Sequence, residues 1–370
     1  MTIEMTSVEA PPALDLGRSP LLDPDHERVV IRQDPTTGLR FIVAIHSTVL
    51  GPALGGMRLR AYPGLRAALE DVLALARTMT LKASAAGLDL GGGKAVMIDD
   101  GREELREQRL RAAAEVIEEL HGAYITAEDI GTTTADMDLI ARHTRYAVGR
   151  SPERGGGGDP SPITALTVLE AIRRALRFAS GSSELAGRRV GIIGLGKVGS
   201  ALAGHLVDAG ADVVGFDVRP DTAARVADEL GVDLATSAEA VLGSELDVLS
   251  PCAAGGLIDD ALARSIECRV VAGAANNPLT RASVADGLAS RGIVYVPDFL
   301  ANCGGLIHVE SEWRGSSRSA EEARIAQAMR GLERALADAR REGTTPLRVA
   351  ERQALERVER ARAARAEGAA

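Results

Sequence analysis

Residues 188–218 read RRVGIIGLGKVGSALAGHLVDAGADVVGFDV, and this stretch decides the fold. The apolar run at its start predicts a buried strand, and the apolar-periodic segment after the glycines predicts a helix that leads into a second strand. Gly194, Gly196 and Gly199 stand between the first strand and the helix with the spacing GxGxxG. Glycines there permit a tight turn and the close approach of a pyrophosphate to the amide groups at the helix N-terminus. The stretch therefore predicts a Rossmann domain that binds a dinucleotide.

Asp217 lies at the predicted end of the second strand, eighteen residues after the last of these glycines. A carboxylate there would accept hydrogen bonds from the adenosine ribose hydroxyls and repel a 2′-phosphate, which favours NAD over NADP. Arg219 weakens this preference slightly, and Lys197 either adds charge near a phosphate or points to solvent. A nucleotide fold that has lost its ligand is the alternative interpretation. The predicted cofactor-binding residues of this stretch are Gly194, Gly196, Lys197, Val198, Gly199 and Asp217.

The composition is that of a globular protein and excludes several classes of partner. The chain has 370 residues, of which 45% are hydrophobic, and this length suits two domains of roughly 150 residues each. A net charge of −9 argues against binding to nucleic acid or to an anionic membrane surface, because both are negatively charged. No run of about 18 apolar residues occurs, so no transmembrane segment is predicted. Cys252, Cys268 and Cys303 are widely spaced and odd in number, which argues against a disulfide framework or a zinc site and predicts a cytoplasmic protein without a metal.

The stretch RSPERGGGGDPSP (150–162) concentrates glycine and proline and predicts a domain boundary. After it, short apolar runs alternate with helical segments, as is typical of strands buried on both faces of a parallel sheet. The C-terminal part is rich in alanine, glutamate and arginine and predicts helix. The predicted organisation is a flexible extension over residues 1–25, an α/β domain over residues 26–152, a Rossmann domain over residues 153–319 and helices over residues 320–360.

Lysine is rare in this chain, and its positions indicate chemistry. Of 43 basic residues only Lys82, Lys94 and Lys197 are lysine. Lys82 falls in the apolar register of a helix predicted over about residues 65–86, and Lys94 follows three glycines in a predicted glycine-rich segment. Arginine stays charged at any working pH, whereas a buried lysine can lose its proton. Lysines kept only in such surroundings indicate amine chemistry, with chance and codon bias as the alternative.

Lys82, Lys94 and Asp129, the last in the turn-like segment TAEDIGTT, form the candidate catalytic group. A buried ammonium is costly unless an anion pairs with it, and a substrate carboxylate would supply that anion. Burial and a neighbouring cation both lower the pKa of a lysine. One lysine can then act as a base while the other stays charged and binds carboxylate, and the aspartate can relay protons. The alternative is three ordinary surface charges.

A resemblance to a known family rests on seven stretches: GPALGGMR (51–58), MTLKASAAGLDLGGGKAV (79–96), YITAEDIGTTTADMD (124–138), GLGKVG (194–199), SPCAAGG (250–256), GAANN (273–277) and PDFLANCGGLI (297–307). They lie between about His26 and about Glu359. On them the chain resembles the leucine/valine/phenylalanine branch of the amino acid dehydrogenases, relatives of glutamate dehydrogenase. The resemblance implies catalytic lysines on an N-terminal α/β domain that the C-terminal helices complete, NAD on the Rossmann domain, a cleft between the two, and a homo-oligomer.

The resemblance also implies a reaction, the reversible oxidative deamination of an L-amino acid with NAD⁺ and water to a 2-oxo acid, ammonia and NADH. Lys94 would activate water against the imino intermediate, Lys82 would hold the α-carboxylate, and Asp129 would shuttle protons to and from the amino group. Residues implied beside the carboxylate are Gly55, Gly56, Met79 and Asn276, and residues implied beside the nicotinamide are Thr164, Pro251, Cys252 and Ala253.

Four apolar residues correspond, by this resemblance, to the end of the substrate side chain: Leu54, Ala127, Leu306 and Val309. A glutamate γ-carboxylate buried against them would be unpaired, so we exclude glutamate. The TAEDIG segment is most similar to the leucine and valine enzymes, whereas HVESEWRG (308–315) is more similar to the phenylalanine enzymes. The sequence therefore favours valine or leucine, with phenylalanine or another aromatic amino acid as the alternative.

Two residues depart from the family pattern. Gly93 stands where related sequences often have alanine, which predicts a looser Lys94 loop. Cys303 stands beside the pocket, which predicts sensitivity to thiol reagents.

Two other classes of protein compete with this interpretation. A non-catalytic NAD-binding regulator would have no need of the base and its proton relay. A hydroxy acid dehydrogenase would use a histidine, and none of the six histidines stands in an evident arginine–histidine–carboxylate arrangement.

Overall fold

The structure, a computed structural model, describes residues 25–253 and 255–368. All but the last residue of the predicted N-terminal extension lies outside the described residues. The described chain forms two β-sheets, each with helices packed on it, which confirms the predicted α/β class. Across these residues, the helices are either too short or too polar to cross a membrane.

The first sheet comprises β1 (Arg28–Asp34), β2 (Leu39–Ser47), β3 (Ala53–Arg60), β4 (Gly91–Ile98) and β5 (Tyr124–Glu128). The strand order is β1-β2-β4-β3-β5. β1 and β2 are antiparallel, as are β2 and β4, whereas β3 runs parallel to both of its neighbours. Every residue of β4 is buried, which fits its central position in the sheet.

Helices cover both faces of this sheet because its strands carry apolar side chains in both directions. Successive side chains of a strand point to opposite faces. Phe41 of β2 belongs to the apolar cluster under α2 (Arg106–Glu119), whereas its neighbour Ile42 belongs to the cluster under α1 (Leu65–Ala85). α3 (Thr134–Ile140) packs beside α2. The prediction of a helix over about residues 65–86 is confirmed.

The second sheet comprises β6 (Arg189–Ile193), β7 (Asp212–Phe216), β8 (Asp233–Leu234), β9 (Val248–Pro251), β10 (Val270–Val271) and β11 (Val294–Tyr295). The order is β11-β10-β9-β6-β7-β8, and all pairings are parallel. The helices that precede, connect and follow these strands are α4 (Ser161–Ser180), α5 (Lys197–Asp208), α6 (Pro220–Leu230), α7 (Ala238–Leu242), α8 (Asp260–Ser265), α9 (Val284–Ser290), α10 (Asp298–Ala301) and α11 (Gly304–Arg314). This arrangement is the one that the alternating pattern predicts.

Two long helices end the described chain, α12 (Arg318–Glu342) and α13 (Pro346–Gly368). α12 packs against α4, whereas α13 packs against α1 of the first sheet. Ser84 at the end of α1 donates a hydrogen bond from Oγ to the carbonyl of Ala354 at 2.7 Å. Arg357 Nη1 donates to the carbonyl of Leu88 at 2.7 Å. The last helix therefore joins the layer that carries Lys82.

The glycine-rich connection between the sheets is fixed by Glu312 of α11, whose side chain is buried. Its Oε2 accepts hydrogen bonds from the backbone N–H of Gly149 at 2.8 Å and of Gly157 at 2.9 Å. Its Oε1 accepts one from Arg150 Nε at 2.8 Å. Hydrogen bonds to an ionised carboxylate are among the stronger ones in proteins. Glu312 thus ties residues 149–157 of the connection to α11.

Candidate active site

A cavity of about 280 Å³ lies between the two sheets and contains most of the predicted site residues. The predicted residues that line it are Leu54, Gly56, Met79, Lys82, Lys94, Ala127, Asp129, Thr164, Val198, Asn276, Leu306 and Val309. The lining residues that the sequence reasoning missed are Glu128, Pro160, Ser161, Ala274, Asn302 and Gly305. The first sheet and α1 contribute the lysines, and the second sheet contributes Val198 at the start of α5.

The glycines before Lys94 form part of β4, so the prediction of a glycine-rich loop at this position is wrong. A Cβ atom on Gly92 would lie 2.1 Å from the backbone nitrogen of Thr80 in α1, and one on Gly93 would lie 2.8 Å from Cδ2 of Tyr124. Glycine is therefore needed here because the helix and the sheet are in backbone contact. Gly93 fits under the Tyr124 ring and does not loosen the Lys94 segment. This close packing brings Lys82 of α1 and Lys94 of β4 to one cavity.

Lys82 is buried, with 8% of its surface exposed. Its Nζ donates a hydrogen bond to Asn276 Oδ1 at 3.0 Å. Burial lowers the pKa of Lys82, an effect that Asp298 opposes and Lys94 reinforces. Asn276 is neutral, so an added anion at Nζ would offset the cost of burying this ammonium. The surroundings of Lys82 suit a substrate carboxylate.

Asn302 holds Asn276 in place, and the sequence reasoning assigned it no role. Its Nδ2 donates to Asn276 Oδ1 at 2.9 Å and to the carbonyl of Ala274 at 3.0 Å. Asn276 Oδ1 therefore accepts from both Lys82 and Asn302. The only signal in the sequence was a polar residue within the apolar stretch PDFLANCGGLI.

Lys94 and Asp129 form an ion pair, with Lys94 Nζ 3.1 Å from Asp129 Oδ2. Arg58 Nε donates to the same oxygen at 3.0 Å. Burial raises the pKa of Asp129, but Lys94 and Arg58 outweigh this and lower it to about 2. Asp129 is therefore ionised at neutral pH. Arg58 lies within the stretch GPALGGMR but was not predicted as a site residue.

The two glycines predicted beside the substrate carboxylate differ in position. Gly56 lines the cavity, and a Cβ atom on it would lie 2.8 Å from Cβ of Asp129. Gly55 does not line it: a Cβ atom there would lie 1.8 Å from the carbonyl oxygen of Gly93 on the neighbouring strand. Gly55 also accepts a hydrogen bond at its carbonyl from the Tyr124 hydroxyl at 2.6 Å. Gly55 therefore acts through strand packing.

Part of the cavity lining is apolar. Leu54, Ala127, Leu306 and Val309 each line it, and all four are buried. They come from β3, β5 and α11, which are brought together only in the folded chain. None of the four carries a charge.

The glycine turn at residues 194–199 has the close packing that a dinucleotide turn requires. Gly194 adopts φ +102°, and a Cβ atom on it would lie 2.7 Å from the backbone nitrogen of Ala253. A Cβ atom on Gly199 would lie 1.9 Å from the carbonyl oxygen of Gly194. Gly196 caps the N-terminus of α5, and a Cβ atom on it would be in ordinary contact with Arg219 Nη2, at 3.7 Å. The Pro251–Ala253 segment thus lies against the turn, outside the lysine cavity.

Asp217 is tied to the glycine turn. Its Oδ2 accepts a hydrogen bond from the backbone N–H of Leu195 at 2.9 Å, and its Oδ1 accepts one from the backbone N–H of Arg219 at 2.9 Å. Burial raises the pKa of Asp217, and these hydrogen bonds outweigh that effect, so its pKa is lowered. Asp217 is therefore an ionised carboxylate beside the turn.

Lys197 was predicted either to add charge near a phosphate or to point to solvent. Most of its side chain is exposed, but its ammonium contacts carboxylates across the cleft. Its Nζ lies 3.3 Å from Asp159 Oδ2 and 3.9 Å from Glu128 Oε1. Glu128 ends β5 of the first sheet, so this lysine links the glycine turn to the strand that precedes Asp129.

Cys303 is completely buried, and burial raises the pKa of its thiol to about 12. The thiolate is the reactive form of cysteine, and this environment disfavours it. The structure therefore argues against the predicted sensitivity of Cys303 to thiol reagents.

Comparison with known proteins identifies similar sequences over most of the chain. Residues 26–146 match a family described as "Glu/Leu/Phe/Val dehydrogenase, dimerisation domain", and residues 217–366 match one described as "Glutamate/Leucine/Phenylalanine/Valine dehydrogenase". The chain is 43% identical over 341 residues to leucine dehydrogenase of Geobacillus stearothermophilus, with 92% of this chain and 93% of that protein covered. It is 43% identical over 339 residues to valine dehydrogenase of Streptomyces virginiae, with 91% of this chain and 95% of that protein covered.

Among solved structures, L-tryptophan dehydrogenase from Nostoc punctiforme is similar to this chain with a TM-score of 0.78 and 32% sequence identity. The similarity covers 92% of this chain and 98% of that one.

Proposed function

Because the chain belongs to the glutamate/leucine/phenylalanine/valine dehydrogenase family, we propose that it catalyses the reversible, NAD-dependent oxidative deamination of leucine or valine. It is an oxidoreductase that acts on apolar L-amino acids. The observation that carries the proposal is a single cavity lined both by Lys82, Lys94 and Asp129 and by four apolar side chains. Its chemistry suits a substrate with a carboxylate, an amine and an aliphatic side chain.

The residues around the glycine turn support NAD as the cofactor. Gly194 and Gly199 permit backbone contacts that a side chain would prevent. Gly196 and Lys197 at the start of α5 line a second cavity, where a pyrophosphate would bind. Asp217, an ionised carboxylate, would bind the adenosine ribose. When NAD is bound, it supplies the acceptor for the hydride that leaves the substrate Cα.

The chain's own side chains would perform the remaining steps. Lys82 would bind the α-carboxylate, and its ammonium is held by Asn276, which Asn302 holds in turn. Lys94 would remove a proton from the water that attacks the imino carbon. Asp129, 3.1 Å from Lys94, would accept or return protons at the amino group. The products are the 2-oxo acid and ammonia.

The four apolar residues support a branched aliphatic side chain and argue against glutamate. A second carboxylate against Leu54, Ala127, Leu306 and Val309 would be buried without a partner. No histidine occurs among the residues that line this cavity in the described chain, which also argues against a hydroxy acid dehydrogenase. We further propose a homo-oligomer, in line with the family description that covers residues 26–146.

A panel of L-amino acids tests the proposed function. We expect NADH formation at alkaline pH with leucine and valine, and no rate with glutamate, because only leucine and valine have side chains that match the apolar lining residues of the cavity. The reverse reaction should require ammonium. If phenylalanine or tryptophan gives the fastest rate, the substrate is aromatic instead. If no amino acid of the panel gives NADH although NAD still binds, the protein is a regulator.

Changing Asp217 tests the cofactor proposal. We expect Asp217→Ala to weaken NAD binding and to improve the use of NADP relative to NAD, because the carboxylate that repels a 2′-phosphate is removed. Asp217 also accepts a hydrogen bond from Leu195, so Asp217→Asn is the matched variant that keeps an acceptor but loses the charge. Ratios of kcat/KM for the two cofactors are the measurement. An unaltered ratio in both variants would contradict the ribose contact.

A further inference from the structure

Arg58, on β3, connects Asp129 to α1. Its guanidinium is buried, and Nε donates to Asp129 Oδ2 at 3.0 Å. Its Nη1 donates to both carboxylate oxygens of Asp71, at 3.2 Å and 2.9 Å. The hydroxyl of Tyr62 donates to Asp71 as well. A chain of hydrogen bonds therefore runs from Tyr62 through Asp71 and Arg58 to Asp129.

The two carboxylate oxygens of Asp129 have different surroundings. Lys94 Nζ and Arg58 Nε both contact Oδ2, at 3.1 Å and 3.0 Å. Oδ1 accepts no hydrogen bond from any residue within 25–253 or 255–368. Asp129 also lines the cavity. Oδ1 is therefore the oxygen that remains for a proton or a hydrogen bond from a substrate.

We propose that Arg58 is a positioning residue that anchors Asp129 through Oδ2, so that Oδ1 serves the substrate amino group, with Asp71 and Tyr62 holding the guanidinium in place. This inference rests on the proposed amino acid dehydrogenase function. It gives a role to the buried Arg58 and to its ion pair with the partly exposed Asp71, neither of which the reaction itself uses.

Rigidity is what Arg58 adds to the Lys94–Asp129 pair. A lysine ammonium is a point charge on a flexible stem, so it does not fix the plane of a carboxylate. The guanidinium is a planar fork, and here it is bound at both ends, to Asp129 and Asp71. A displacement of reacting groups by about 1 Å can cost about 100-fold in rate. Loss of Arg58 should therefore reduce turnover more than substrate binding.

Arg58 also affects the ionisation of Asp129. The charged and titratable groups around this carboxylate are Lys94 on β4, Arg58 on β3, Lys82 on α1, and Glu128 and Tyr124 on β5. Burial raises the pKa of Asp129, and Lys94 and Arg58 lower it. Without Arg58, the pKa of Asp129 should rise, so the carboxylate becomes protonated at a higher pH. The acid limb of the plot of kcat against pH should then move to higher pH.

The test compares four variants of the full chain in the deamination assay: Arg58→Gln, Arg58→Lys, Asp71→Asn and Arg66→Met. We expect Arg58→Gln to lower kcat by about 10- to 100-fold with the amino acid KM within about threefold. Its acid limb should move to higher pH. Arg58→Lys should recover part of the loss, because it restores a cation beside Asp129. Asp71→Asn should show a smaller loss than Arg58→Gln.

Arg66→Met is the matched control. Arg66 is an exposed arginine of α1 that pairs with Glu70 one turn away, so its loss should leave kcat and the pH profile unchanged. Thermal melting and NAD binding establish that each variant folds. If Arg58→Gln does not fold, the kcat values and pH profiles of Arg58→Lys and Asp71→Asn test the positioning role of Arg58.

The proposal is overturned by a kcat within about twofold of the unaltered chain and an unmoved acid limb in the variants that fold. A loss of activity without a shift of the acid limb and without recovery in Arg58→Lys would also overturn it, since a merely structural role predicts that outcome. Failure of the proposed function is seen separately, because the unaltered chain would then have no ammonium-dependent activity. Full activity in Asp129→Asn would show that the Asp129 carboxylate is not needed for proton transfer, which the proposal assumes.

Discussion

Replacing Lys94 by alanine is expected to lower kcat for oxidative deamination by about 10²- to 10⁴-fold, while NAD still binds. Lys94 Nζ lines the cavity 3.1 Å from Asp129, so it is the amine positioned to take a proton from the attacking water. NAD binding should persist because the glycine turn and Asp217 belong to the second sheet. Steady-state NADH formation and a fluorescence titration with NADH are the measurements. More than a few per cent of the original activity would contradict the assignment of Lys94 as the base.

Lys94→Arg separates the role of a base from that of a fixed charge. Arginine keeps a cation beside Asp129 but does not release its proton at working pH. If Lys94 is the base, the arginine variant should be about as inactive as the alanine variant. Substantial activity in Lys94→Arg would show that positive charge alone is required at this position.

Lys82→Ala is expected to raise the KM for the amino acid by at least about 30-fold, equivalent to about 2 kcal/mol, with a smaller effect on kcat. Lys82 is buried, and its Nζ is bound by a neutral amide rather than by a carboxylate of the described chain. A substrate carboxylate would pair with this ammonium, and truncation would leave that carboxylate buried without its partner. Lys94 and Asp129 remain in the variant, so the chemical steps should continue once substrate is bound. An unchanged KM would move carboxylate binding to another residue.

A carboxylate inhibitor without an amino group, such as 4-methylpentanoate, tests the contact between Lys82 and a carboxylate separately from the chemical steps. Its inhibition constant should rise in Lys82→Ala by about the same factor as the amino acid KM. Burial lowers the pKa of Lys82 below its usual value, and binding requires the protonated amine. In the unaltered chain, the inhibitor should therefore bind best at lower pH and more weakly as the pH rises through that pKa. Inhibition that is unaffected by Lys82→Ala would contradict the role.

The second sheet was predictable because the information that specifies it is local. β6, the glycine turn and α5 follow one another without interruption over residues 189–208. Each strand of a parallel sheet covered on both faces appears as a short apolar run, and each connection begins with turn residues. The pattern therefore indicated both the fold of this part and the position of the dinucleotide turn.

The first sheet was less predictable, as β4 illustrates. Three successive glycines are typical of a loop, yet Gly91, Gly92 and Gly93 lie in a central strand. A side chain is excluded at Gly91 by the carbonyl of Ser47, at Gly92 by the backbone of α1 and at Gly93 by the ring of Tyr124. These groups all approach from other parts of the chain. No local pattern records such an approach, because the contacting residues are far apart in sequence.

The sequence by itself determined the parallel sheet with its dinucleotide turn and the small set of residues able to supply amine and carboxylate chemistry. The resemblance to a family then suggested a role for each of them. Only the tertiary structure decided which charges surround those residues. Arg58 meets Asp129 and Asp71, and Asn302 meets Asn276 beside Lys82, because strands and helices from separate segments converge on one cavity. The pKa of a buried group depends on burial and on neighbours within a few ångströms, and both are properties of the folded chain.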